Sequence, residues 1–188
     1  GLVRTRREQE SSPELREGCG SWWEVPDAEL PTGAALLYLH GFTGSPGDIG
    51  DTLQRIRGDA PAAIGAKRRR GHGLIAGDGL AGVTRKEWEA DAESALEYAS
   101  RLGRKVWVLG TSMGATLGLL LAARFPDAVS GVVAWSPAVV PRDRSMLDQL
   151  AAMPPELIVD RRERSREHGL YWSREVHSDG YRALRDAM

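Results

Sequence analysis

Apolar residues come in short runs separated by turns rich in glycine and proline. Residues 34–39 (AALLYL) are almost continuously apolar, as expected of a strand buried on both faces. Residues 62–66, 105–109 and 129–135 repeat that pattern and read as three further strands. Between them the period lengthens. Residues 47–57 put Ile49, Leu53 and Ile56 on one helical face. Thr84, with Glu87 three positions on, is a capping-box signature. The helix it starts should run to about Leu102, turn Trp88, Ala92, Ala95, Leu96 and Ala99 inward, and stop at Gly103. Residues 115–124 form an apolar helix stopped by Pro126. Strand and helix in alternation predict an α/β fold, with a mainly parallel sheet flanked by helices. Such sheets carry their chemistry at the carboxyl ends of the strands.

The flanks differ. Residues 1–20 are polar and without period, and are expected to lie loosely on the surface. Residues 21–33 hold Trp22, Trp23 and two prolines and suggest an added edge strand. Beyond Pro137 the chain is rich in Arg, Glu and Asp, with helical pieces at 145–153 and 180–188 and a strand-like run at 157–159. The organisation expected is an N-terminal extension (1–33), an α/β core (34–137) and a helical lid or cap (138–188).

Composition narrows the function. A chain of 188 residues, 41% hydrophobic and 27% charged, suits one globular domain. Its 25 basic and 26 acidic side chains leave a charge of -1, so no overall field recruits nucleic acid or an anionic membrane. The single cysteine, Cys19, excludes an internal disulfide. His40, His72, His168 and His177 are scattered, so neither a metal nor a cofactor is expected. No apolar run reaches the ~18 residues that span a bilayer. Arg4, Arg6 and Arg7 are followed by no apolar stretch, so no signal peptide is expected and the cytoplasm is the default location. The start on Gly1 rather than Met suggests a processed or tagged terminus. The basic run 67–70 lacks interleaved aromatics and reads as a solvated loop. The alternating charges of 161–167 read as an exposed helix laced with ion pairs.

Two turns stand out, each after a strand. Gly110-Thr111-Ser112-Met113-Gly114 has the G-x-S-x-G form between a strand and a helix. A serine at the apex of such a turn takes a strained backbone angle, and small residues on either side let strand and helix pass closely. The hydroxyl then stands at a helix N-terminus, where negative charge is favoured. His40-Gly41-Phe42-Thr43-Gly44 is the second turn.

Together LLYLHGFTGSPGDI, the RGHG of residues 70–73 and VLGTSMGATLGLLLAARFPD resemble the α/β-hydrolase superfamily. The nearest likeness is to its carboxylesterase and monoacylglycerol-lipase-like serine hydrolases. The resemblance implies that Ser112 is the nucleophile and that the backbone N–H groups of Phe42 and Met113 form the oxyanion hole. It also makes His40 and His72 structural. Apolar and aromatic residues in the lid favour a small uncharged acyl ester as substrate, with no cofactor, and Trp135, at the end of its strand, with Tyr171 and Trp172 in the lid, are candidates to line an acyl pocket.

The chain departs from that pattern in one respect. The superfamily carries an acid and then a histidine on strands after the lid, and no pair of buried strands follows Trp135. Three readings stay open. The chain is a fragment of a longer hydrolase; or the lid supplies the pair, from Asp160, His177 and His168; or the fold serves as a binding or assembly module without a base. A sheet lacking two strands would expose an edge, so a homodimer or strand exchange is expected if the chain is stable alone.

Overall fold

A computed structural model describes residues 4–161 and 165–188. Six strands form the main sheet: β1 (Thr5–Gln9), β2 (Trp22–Pro26), β3 (Thr32–Leu39), β4 (Ala63–Lys67), β5 (Gly103–Thr111) and β6 (Val129–Trp135). Their spatial order is β1-β2-β4-β3-β5-β6. β4, β3, β5 and β6 are parallel, while β1 and β2 are antiparallel additions beside β4.

Helices α1 (Thr52–Arg57), α2 (Arg85–Leu102) and α3 (Met113–Arg124) are the crossovers. α2 and α3 cover one face of the sheet. Their Trp88, Ala92, Leu96, Ala99, Leu117 and Leu121 pack against Leu37, Leu39, Val106 and Val108. α2 begins with the capping box expected from Thr84 and Glu87. Gly103 leads directly into β5, because a side chain there would overlap the backbone of Ala34 and Ala35.

The opposite face is thinner. Leu53 of α1 and Ile49 of a short 3-10 turn pack over Leu36, Tyr38, Ile64 and Leu109. The single helix expected over residues 47–57 is broken, because Gly50 turns with φ +57°. Ile56 consequently ends up exposed. A groove of about 360 Å³ remains between α1 and β6, with Trp107, Val133 and Trp135 each about 40% exposed.

The N-terminal segment is more ordered than its composition suggests. β1 takes the sheet edge and β2 lies inside it, between β1 and β4. Cys19, expected in a loose stretch, is fully buried. Glu10 closes this arrangement, accepting hydrogen bonds from the Ser21 N–H (2.9 Å) and hydroxyl (2.7 Å) and pairing with Arg68. Burial raises its pKa, but Arg68 and Ser21 together outweigh burial and hold the carboxyl at about 2. Since the folded value lies below the unfolded one, the stabilisation is full above pH 4.5 and fades as pH falls towards 2. Glu10→Gln should cost about 1–2 kcal/mol at neutral pH, allowing for partial exposure. Urea titrations should show that cost shrinking as the pH is lowered.

After β6 the chain forms α4 (Ser145–Ala152), β7 (Leu157–Val159), α5 (Arg166–Tyr171), β8 (Glu175–His177) and α6 (Ser178–Ala187). β7 and β8 make a small antiparallel ribbon separate from the main sheet. Ala183 of α6 is buried in the main core, and Tyr181 and Leu184 pack against it. The charged run 161–167 falls partly outside the described residues. Among the described residues no helix is long and apolar enough to cross a membrane.

Candidate active site

β3 and β5 are neighbours in register, with Leu39 opposite Gly110. Their carboxyl ends therefore deliver both turns to one place. Ser112 has φ +51° and ψ −116°, a region that costs a non-glycine residue about 1–3 kcal/mol. The strain is held from several sides. The Ser112 N–H donates to Trp135 O (2.9 Å), and Ser112 O accepts from Ala115, Thr116 and Ala138 N–H groups. The flanking glycines are required by space. A Cβ at Gly110 would overlap Ala115, and one at Gly114 would overlap the carbonyl oxygen of Leu39. Ser112 is half-buried and sits immediately before the first turn of α3.

Gly41 touches the same spot. A Cβ built on it would lie 3.8 Å from Ser112 Cβ and 3.7 Å from Thr111 O. Three carbonyls of this turn are engaged. Gly41 O accepts from Arg69 Nη2 and from the His40 ring, each at 2.9 Å. Phe42 O accepts from His72 Nε2, and Thr43 O from the Ser173 N–H (2.8 Å). By contrast, the backbone N–H groups of Phe42 and Met113 find no acceptor among the described residues.

His40 and His72 are buried inside this framework, and their rings stack edge-on at 4.8 Å between centroids. Burial, with Arg69 nearby, pushes both imidazoles down, His72 to about 3. Neutral at ordinary pH and bonded to backbone, they brace the turn, as the sequence suggested. Arg69 corrects the sequence reading. Its run was expected to be solvated, yet its side chain is fully buried.

The lid closes over the turn. The Trp172 ring would lie 3.2 Å from a Cβ at Gly41 and 3.5 Å from one at Gly44. Arg16 holds this segment, donating to the carbonyls of Leu170 and Trp172 and to Ser173 Oγ, while the Ser45 hydroxyl donates to Tyr171 O (2.8 Å). Nothing in the polar composition of residues 1–20 advertised that clamp. Of the other two aromatics considered for an acyl pocket, Tyr171 packs on Gly18 and Gly47. Trp135 lines the groove beside α1.

The lid's titratable pair does not assemble. In the β7–β8 ribbon Asp160 bonds to Arg174, whereas His177 lies opposite Leu157, so the two occupy opposite ends. Three residues of strand separate them by roughly 10 Å. His177 instead caps α6, its Nδ1 accepting the Asp179 N–H at 3.3 Å. His168 stacks on Trp172 with centroids 4.6 Å apart. Among the described residues no side chain hydrogen-bonds the Ser112 hydroxyl.

A strained serine between a parallel strand and a helix, on a sheet of this order, defines the α/β-hydrolase class. The family model described as "Serine aminopeptidase, S33" (Hydrolase_4) matches residues 31–178, and the chain belongs to that family. It is 33% identical over 104 residues to a thermostable monoacylglycerol lipase of Bacillus sp. (strain H-257). That match takes in 55% of this chain and 40% of the lipase. Structural similarity reaches a TM-score of 0.77 with a structure from a study of LipS and LipT, two metagenome-derived lipolytic enzymes. There the identity is 21%, over 93% of this chain and 69% of the other. The monoglyceride lipase of Saccharomyces cerevisiae gives a TM-score of 0.66 at 15% identity, over 99% of this chain and 68% of that one. The monoacylglycerol lipase of Paleococcus ferrophilus gives 0.61 at 17%, over 98% and 70%.

Proposed function

We propose that the protein is a serine hydrolase of carboxylic esters, acting through an acyl-enzyme at Ser112. The observation that carries this reading is the Ser112 backbone, held at φ +51° by glycines that no larger residue can replace. Strain so fully supported is a mark of functional turns. In this mechanism Ser112 Oγ attacks the ester carbonyl. The Phe42 and Met113 N–H groups, both without an acceptor among the described residues, stabilise the oxyanion. Collapse expels the alcohol, and water then releases the acid. A base must take the Ser112 proton, and among the described residues no side chain is hydrogen-bonded to that hydroxyl.

The substrate proposed is an uncharged acyl ester. Phe42 and Trp172 offer apolar surface at the turn, and the relatives include named monoacylglycerol lipases. Trp172→Ala should weaken KM for long-chain p-nitrophenyl esters more than for the acetate, because only the longer chains would reach the lost surface. Equal effects on both would remove Trp172 from the pocket. Preferential cleavage of peptide amides over esters would overturn the substrate class.

The Ser112 hydroxyl, unpartnered among the described residues, favours a second reading: a binding module without catalysis. Reaction of Ser112 with a covalent probe separates the two. We also propose that a second copy pairs along β6, whose outer edge carries no strand among the described residues and whose face bears Val133 and Trp135. Sedimentation of the parent beside Val133→Glu tests that pairing: the parent should be a dimer and the variant a monomer.

A further inference from the structure

Arg69 is an expensive residue to bury. Its side chain is fully buried, Nε and Nη1 have no hydrogen-bond partner among the described residues, and no carboxylate forms an ion pair with it. Burial lowers its pKa only to about 10, so the guanidinium stays charged. Asp48 and Asp91 act on it from beyond ion-pair distance and oppose that lowering, and a buried cation without a direct ion pair costs several kcal/mol.

Those contacts converge on one peptide group. Nη2 donates to Gly41 O at 2.9 Å and lies 2.9 Å from His40 Nδ1, and the Arg69 backbone N–H faces His40 Nε2 at 3.4 Å. No tautomer of the neutral ring satisfies all three contacts; with Nδ1 protonated, the 2.9 Å approach of Nη2 to Nδ1 is a close contact and not a hydrogen bond. Nε2 accepts from the Arg69 N–H, and Nδ1–H donates to Gly41 O beside the guanidinium. Gly41 O thus accepts from a cation and an imidazole together.

A trans peptide is planar, with its C=O and N–H pointing in opposite directions. Pinning Gly41 O towards Arg69 therefore turns the N–H of the same peptide, that of Phe42, the other way. A cationic donor on the carbonyl also polarises the peptide and strengthens that N–H as a donor. We propose that Arg69 is a positioning residue for the oxyanion hole, aiming and polarising the Gly41–Phe42 peptide. This rests on the reading of Ser112 as nucleophile.

The test uses Arg69→Met, which removes charge and fork, and Arg69→Lys, which keeps charge but loses the fork and stands in if the first does not fold. Two readouts are taken on chains with intact thermal unfolding transitions. One is the backbone amide resonance of Phe42, with that of Met113 as internal control. The other is the rate of Ser112 modification by an alkyl fluorophosphonate, with imidazole added as external base. The Phe42 resonance should shift while Met113 stays. The modification rate should fall about tenfold to a hundredfold, somewhat less than the 10²–10³ that loss of a whole oxyanion donor costs. A folded variant with both readouts unchanged overturns the proposal. If no chain, parent included, is modified at Ser112, the ester-hydrolase reading fails instead. The Phe42 resonance then still decides what Arg69 does to the peptide.

Discussion

Replacing Ser112 by alanine should abolish covalent modification of the chain by an alkyl fluorophosphonate. The expected loss is about 10³-fold or more, because general-base assistance and an oxyanion hole each contribute on the order of 10²–10⁴. The assay needs an external base such as imidazole, since no side chain of the described residues bonds to the Ser112 hydroxyl. Ser136 is a useful internal control. It too has a positive φ, of 44°, and it is exposed on the same side of the sheet after β6. It is not followed by a helix, so no N-terminal dipole faces it. Peptide mapping should therefore place the adduct on Ser112 and leave Ser136 unmodified.

Gly114→Ala is expected to have the largest effect on stability. Its Cβ would overlap the carbonyl oxygen of Leu39 and crowd that of His40, both rigid backbone at the end of β3. No rotamer change relieves that clash. Either α3 moves away from β3 or the turn at Ser112 unwinds. Removal of supported strain and close packing together places the cost at about 3–5 kcal/mol, the upper tail for single substitutions. For a chain of this size that is roughly 10 °C in Tm. Gly50→Ala makes a calibrating comparison. Nothing lies within 4 Å of its Cβ position, and its penalty comes from φ +57° alone. That variant should lose about 1–3 kcal/mol. Equal losses in the two variants would mean that close approach is not what Gly114 supplies.

The parallel core was legible because all four of its strands read as apolar runs, although only β3 and β4 are largely buried on both faces. β6 was anticipated to the residue, and α2 announced itself through Thr84 and Glu87. The serine turn was legible for the same kind of reason: G-x-S-x-G is a steric requirement written in the sequence. What stayed hidden depends on partners distant in the chain. β1 is polar, and its edge position is secured by Glu10 reaching Ser21 and Arg68. Arg69 looks like its neighbours in a basic run, and only the packing of His40 and Gly41 around it shows that it is interior. Asp160 and His177 look like an acid and a base in proper order, but ribbon register sends them to opposite ends. Sequence order alone carries no register.

The proposed role of Ser112 is to attack a carbonyl from a turn that also holds the oxyanion formed. The most direct measurement is the mass of the chain after brief exposure to p-nitrophenyl acetate with imidazole, quenched in acid and mapped by peptide. One acetyl group is expected, on the peptide containing Ser112, absent from Ser112→Ala and from the urea-unfolded parent. Acetylation spread over lysines and the N-terminus, equal in the folded parent and in Ser112→Ala, would contradict that role.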